Sequence, residues 1–182
     1  MSLNNRNHYI GSGSIGYTND LPGGGYDGEH VSSRDQWIHG CAQEFSEVSP
    51  EQHEEFLLHY QLKIMNRFGL VDYGCCEPYT RKFEMVKKIP NLRRVSVSAW
   101  CDIEIAAEML DTEYILSWKP NPAMLVGEFN EDLIRSYIRK TLEVAKNCYL
   151  EIILKDTYTV ESQPSRIERW LAIAREEIAS VC

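Results

Sequence analysis

One feature limits what this chain can fold into. From Ser49 onward, short β-branched apolar runs alternate with segments of helical periodicity, with Gly and Pro at the junctions. Ser49-Pro50-Glu51-Gln52 combines an N-cap, a proline at the first helical position and a capping-box glutamine. Phe56, Leu57, Tyr60, Ile64 and Phe68 then recur at helical spacing until Gly69 closes the helix. A strand over 70–75 follows, then a helix over 80–88 that Pro90 ends. The unit repeats with a strand over 94–98, a helix capped by Asp102 that runs to Leu110, a strand over 114–118 and a helix over 130–147. The last strand spans 150–154, and Pro164 opens a C-terminal helix carrying Ile167, Trp170, Leu171, Ile173, Ala174 and Ile178. Residues 42–46 read as one more short strand ahead of the first helix.

Strands alternating with helices of this length imply βαβ units and a parallel sheet. Four or five such units make an α/β fold that is part of a (βα)8, TIM-like barrel. A complete barrel usually takes about 250 residues, and this chain has 182. The composition shifts near the start of the pattern: eight of the eleven glycines lie at or before Gly40. Residues 1–40 therefore read as a Gly-rich arm or insertion, and residues 41–182 as the half-barrel. Within the arm, Gly11-Ser12-Gly13-Ser14-Ile15-Gly16 fits a dinucleotide fingerprint in spacing. The segment after it, Tyr17 to Gly25, is too rich in turn residues to open the helix that a phosphate site needs.

Charge and cysteine usage narrow the partners. Acidic residues outnumber basic ones by 27 to 19, a net charge of −8, which argues against nucleic acid because phosphate neutralisation needs a clustered basic surface. The six cysteines form no CxxC pair and no disulfide-scaffold pattern. No run approaches the roughly 20 apolar residues of a membrane helix, and the first residues lack a charged-then-apolar signal pattern. The expectation is a cytoplasmic protein with no membrane partner.

In parallel α/β folds ligands bind beyond the carboxyl ends of the strands. Each strand here ends in polar groups: Cys75, Cys76 and Glu77; Ser96 and Ser98; Ser117, Lys119 and Asn121; Lys155, Asp156 and Thr157. Two thiols beside a carboxylate suit zinc, which would hold a thiolate at neutral pH. Successive strand residues point to opposite faces, so only one of Cys75 and Cys76 need face a ligand. His39-Gly40-Cys41 has the form of a second ligand pair but reads as core packing beside Trp37 and Ile38, and His53 and His59 read as solvent-facing. Lys119-Pro120-Asn121-Pro122 is a stiff loop that would present an ammonium and an amide to an anion; the alternative is a turn leading into a helix at Pro122. Lys155 and Asp156 form either an ion pair or an acid–base pair.

Taken in order, Val48-Ser49-Pro50-Glu51, Tyr73-Gly74-Cys75-Cys76-Glu77-Pro78, Ile89-Pro90-Asn91-Leu92-Arg93, Ser96-Val97-Ser98, Ser117-Trp118-Lys119-Pro120-Asn121-Pro122 and Leu154-Lys155-Asp156 resemble the uroporphyrinogen decarboxylase superfamily. The likeness is to its decarboxylase-like branch associated with corrinoid methyl transfer, and it covers the C-terminal half of that family's barrel. It implies a methyltransferase that moves a methyl group between a small substrate or thiol and a corrinoid carried by a partner protein. It also implies zinc, for which Cys75, Cys76 and Glu77 are the ligand candidates. The family's His-x-Cys has no histidine here, and its later cysteine is replaced by Lys155-Asp156. Ser98, Lys119 and Asn121 would bind substrate, and Lys155 and Asp156 would handle charge or protons. The alternatives are a truncated, non-catalytic relative that binds a ligand or partner, and a decarboxylase of another small acid. A half-barrel also leaves two open edge strands and an inner face on which Val95, Val97, Ile115, Ile152 and Leu154 are candidates for exposure. The expected remedy is a C2 homodimer.

Overall fold

The computed structural model describes residues 20–181; the glycine motif at 11–16 lies outside the described residues. Five strands form one sheet: β1 (Trp37–Gly40), β2 (Leu70–Tyr73), β3 (Leu92–Val97), β4 (Ile115–Trp118) and β5 (Tyr149–Ile152). All neighbours pair in parallel, and the spatial order is the sequence order. Helices alternate with them. α1 (Pro50–His53) continues through a π-helical stretch (Glu54–Leu58) into α2 (His59–Met65). Then come α3 (Phe83–Val86), α4 (Ile103–Leu110), α5 (Glu131–Val144) and α6 (Ser165–Val181). Among the described residues the strand order never reverses, so they contain no doubly wound switch point, and the architecture is that of a partial TIM-like βα barrel.

The sheet begins earlier than the sequence suggests. Residues 42–46 do not form a strand; Gln43–Phe45 is a 3-10 turn, and Trp37–Gly40 supplies the edge strand instead. Gly40 packs closely there: a Cβ would sit 2.1 Å from Met65 Cε, so the methionine end would have to move aside. The sheet thus takes its first strand from the segment read as an arm.

Alternation along the strands sorts two unlike faces. Val71, Tyr73, Val95, Val97, Leu116 and Trp118 join Leu58, Met65, Phe83, Leu110, Ile134, Ile138, Trp170 and Ile173 in one core between sheet and helices. The opposite face is polar. Here Arg94, fully buried, donates from Nη1 to Asp72 Oδ2 at 3.1 Å, from Nη2 to Ser117 Oγ at 2.8 Å, and from Nε to Glu151. His39 Nδ1 lies 3.1 Å from the same Asp72 oxygen. Val95 and Val97 therefore belong to the helix-covered core, and a charged ladder occupies much of the inner face expected to be apolar.

The first helix departs from its apparent pattern. Phe56, Tyr60 and Ile64, whose spacing marks the helix, are more than half exposed. The π stretch inserts one residue into the helical phase, so the buried positions run His53, Leu58 and Met65. His53 is not solvent-facing: it is fully buried, with Nε2 3.0 Å from the Tyr73 hydroxyl. Burial, with the Lys82 charge added, holds its imidazole down at about 4, so it is neutral at physiological pH.

Arg94 yields a direct test. Replacing it with Met strands the buried Asp72 carboxylate without its main counter-charge, and breaking a buried pair from one side costs about 3–5 kcal/mol. Urea unfolding should show that loss. Adding Asp72→Leu should return part of it, because the second change removes the orphaned charge.

Candidate functional site

Beyond β2 the chain turns at Gly74, whose φ of 102° is left-handed. A Cβ there would lie 2.5 Å from the Tyr79 ring, so glycine is needed both for the turn and for the close approach. The turn is pinned by Glu77. Its Oε1 accepts from Ala42 N at 2.6 Å and from the Tyr79 hydroxyl, and its Oε2 accepts from Cys75 N at 2.9 Å. Burial opposes its charge, but these donors outweigh burial and hold its carboxyl below the usual range. Glu77 is thus a structural anchor for the loop that carries the cysteines.

Cys75 and Cys76 come together. Their sulfurs are 3.5 Å apart, because the pair lies past the last β2 residue, where strand alternation no longer sends neighbours to opposite faces. Lys155 Nζ donates to Cys75 Sγ at 2.8 Å, and the Cys76 thiol donates to Asp156 Oδ2 at 2.6 Å. Asp156 has a φ of 60°, a conformation that Asp tolerates better than most residues. For Lys155, burial works against the charge, but the Cys75 sulfur and neighbouring anionic groups prevail and raise its pKa. For Cys76, burial first and then donation to Asp156 push the thiol up to about 12.

Lys119 approaches the same turn from β4. Its ammonium donates to Cys75 O at 2.8 Å and to Ser96 Oγ at 3.0 Å, with the side chain almost wholly buried. Burial lowers its pKa. Ser98 donates to Glu77 O at 3.3 Å. Asn121 Oδ1 accepts from Ala123 N at 3.0 Å and so caps the 3-10 turn Pro122–Leu125. Its carbonyl is therefore spent on the turn, the second of the two uses its sequence allows. Ser98, Lys119, Asn121, Lys155, Asp156 and Cys76 nonetheless line one cleft of about 510 Å³ at the carboxyl ends of the strands.

Among the cleft residues that escape the sequence pattern are two aromatics: Trp100, 71% exposed, and Tyr158, fully exposed. Each lies in a loop just after a strand, which is the one signal that could have marked them. His39, half of a candidate ligand pair, turns instead to Asp72.

As a set, Cys75, Cys76 and Glu77 do not fit zinc. The Glu77 oxygens are committed to three donors, and an ammonium occupies the Cys75 sulfur. Among the described residues, no three His, Cys, Asp or Glu side chains gather as a metal-holding group. Among the same residues, no helix is long and apolar enough to cross a membrane. No protein-family model matches this chain, and no curated protein matches it.

The Cys76–Asp156 contact can be tested by pH. In a Cys75→Ser background, Cys76 should alkylate slowly at pH 8 and accelerate as pH rises towards 12. Asp156→Asn removes the charged acceptor that favours the protonated thiol, so the thiol pKa should fall and alkylation at pH 8 should speed several-fold. Mass spectrometry of the labelled peptide reads both rates; an unchanged rate would place the thiol proton elsewhere.

Proposed function

We propose that this chain is the C-terminal part of a uroporphyrinogen decarboxylase-like methyltransferase, moving a methyl group between a small substrate or thiol and a corrinoid carried by a partner protein. One observation supports this reading above the others. Lys155 and Asp156, adjacent in sequence, engage two neighbouring thiols, one of them, Cys76, in the wall of a strand-end cleft large enough for a small molecule. Lys155 offers an ammonium to an anionic sulfur or carboxylate. Asp156 is placed to take the proton of a thiol, which is the proton a thiol acceptor must lose before it can attack a methyl carbon. Lys119 adds positive charge beneath the same turn. The corrinoid supplies the methyl donor or acceptor when its carrier docks. The exposed rings of Trp100 and Tyr158 at the cleft offer flat apolar surface for that approach.

The described sheet ends in β1 and β5, each with one unpaired side. The exposed stripe of Phe56, Tyr60 and Ile64 lies on the helix that follows β1. Both features favour a homodimer, because edge strands and exposed apolar stripes invite a second copy.

Two measurements decide between this reading and its alternatives. Purified protein mixed with methylcobalamin and a small thiol should demethylate the corrinoid, visible as a spectral change, and Lys155→Ala or Asp156→Asn should reduce the rate at least tenfold. Carbon dioxide release from small dicarboxylic acids without demethylation would instead favour a decarboxylase, and neither activity would favour a binding protein. Sedimentation at micromolar concentration should give a dimer; a stable monomer would count against self-association.

A further inference from the structure

We propose that Cys75 and Cys76 form a reversible redox couple, oxidised by hydrogen peroxide to a disulfide between adjacent residues and reduced again by small thiols. The two sulfurs are 3.5 Å apart, both residues are half-buried rather than sealed in the core, and Cys76 forms part of the cleft wall. Their surroundings differ in a way that assigns roles. Cys75 Sγ receives the Lys155 ammonium, the partner that a thiolate would take, while Cys76 keeps its proton and donates it to Asp156. Reactive cysteines occupy electropositive, accessible settings, and redox sensors pair one with a resolving thiol.

The chemistry balances without a metal. Cys75 thiolate attacks one peroxide oxygen; the O–O bond breaks, Cys75 becomes a sulfenic acid, and hydroxide leaves to be protonated to water. Asp156 then takes the Cys76 proton, and the Cys76 sulfur attacks the Cys75 sulfur. The S–S bond forms, the S–O bond breaks, and the departing hydroxide takes that proton from Asp156 and leaves as a second water. In total the two sulfurs lose two electrons and the peroxide gains them. Two equivalents of a small thiol reverse the change by exchange through a mixed disulfide.

Adjacency makes the bond a switch rather than a staple. Consecutive Cα atoms across a trans peptide are about 3.8 Å apart, below the roughly 4.4–6.8 Å that disulfides usually span. The product is strained and easily reduced. Oxidation also removes the S–H that Asp156 accepts and ties up the sulfur that the Lys155 ammonium contacts, which releases a carboxylate and an ammonium at the cleft. That consequence rests on the cleft being the substrate site; the redox couple itself does not.

Tryptic peptide 68–81 contains Cys75 and Cys76 and no other cysteine. Full-length protein exposed to peroxide, blocked with N-ethylmaleimide and digested should give this peptide lighter by two hydrogens and unlabelled, and glutathione before blocking should restore double labelling. In Cys76→Ser, dimedone should trap a sulfenic acid at Cys75, and Lys155→Met should slow that trapping several-fold. Double labelling that persists after peroxide has oxidised other thiols, a sulfinic acid as the main product, or a cross-link to Cys41 would each overturn the couple. Sulfate binding, measured on reduced and oxidised protein by calorimetry, should differ several-fold. Disulfide formation with unchanged sulfate affinity would overturn the link to the cleft and leave the couple standing.

Discussion

A guanidinium fully buried from solvent organises the inner face of this sheet. Arg94 lies on the central strand and is fully buried, and its donors reach β2, β4 and β5 through Asp72, Ser117 and Glu151. Burying a charge is costly unless its hydrogen-bonding capacity is met. The strands that supply the acceptors must therefore hold one register. Asp72 is aligned with Arg94 across β2 and β3, and Ser96 with Ser117 and Glu151 across the next two pairs. A one-residue slip would send Arg94 into the helix-covered core.

That register is also what builds the cleft. Ser96 is two residues beyond Arg94 on the same face and receives the Lys119 ammonium, which reaches on to the Cys75 carbonyl. The polar ladder inside the sheet and the strand-end site thus form one continuous polar layer. Glu77 completes the support from the other side by tying the cysteine turn to Ala42 and Tyr79. The reactive groups stand on a loop whose backbone is fixed by buried charges, an arrangement that keeps side chains in place before a ligand arrives.

The thiol pair shows how such support changes chemical meaning. In sequence, Cys75-Cys76-Glu77 has the composition of a metal site. In the fold, the carboxylate faces backbone amides and a phenol, and a lysine eighty residues away takes the first sulfur. The same residues therefore favour proton and electron chemistry at sulfur over coordination by the expected triad. Lys119 and Lys155, separate in sequence, both converge on Cys75.

The alternation of strands and helices was legible from local pattern, because apolar periodicity, the Ser49 cap and the Asp102 cap act within a few residues of chain. The parallel sheet followed from that alternation, and the strand-end residues that line the cleft followed from the sheet. Three things were not legible. The π stretch after His53 shifts the helical phase by one residue, so Phe56, Tyr60 and Ile64 face outward and His53 inward. The strand at Trp37–Gly40 is set by its pairing with β2, thirty-three residues further along the chain. The partners of Arg94, Lys119 and Lys155, and the Ala42 amide that meets Glu77, lie on other elements. Periodicity and caps are local properties that sequence encodes directly. Which charge meets which is decided only when the strands pair, since hydrogen bonds between residues twenty to eighty positions apart leave no local trace.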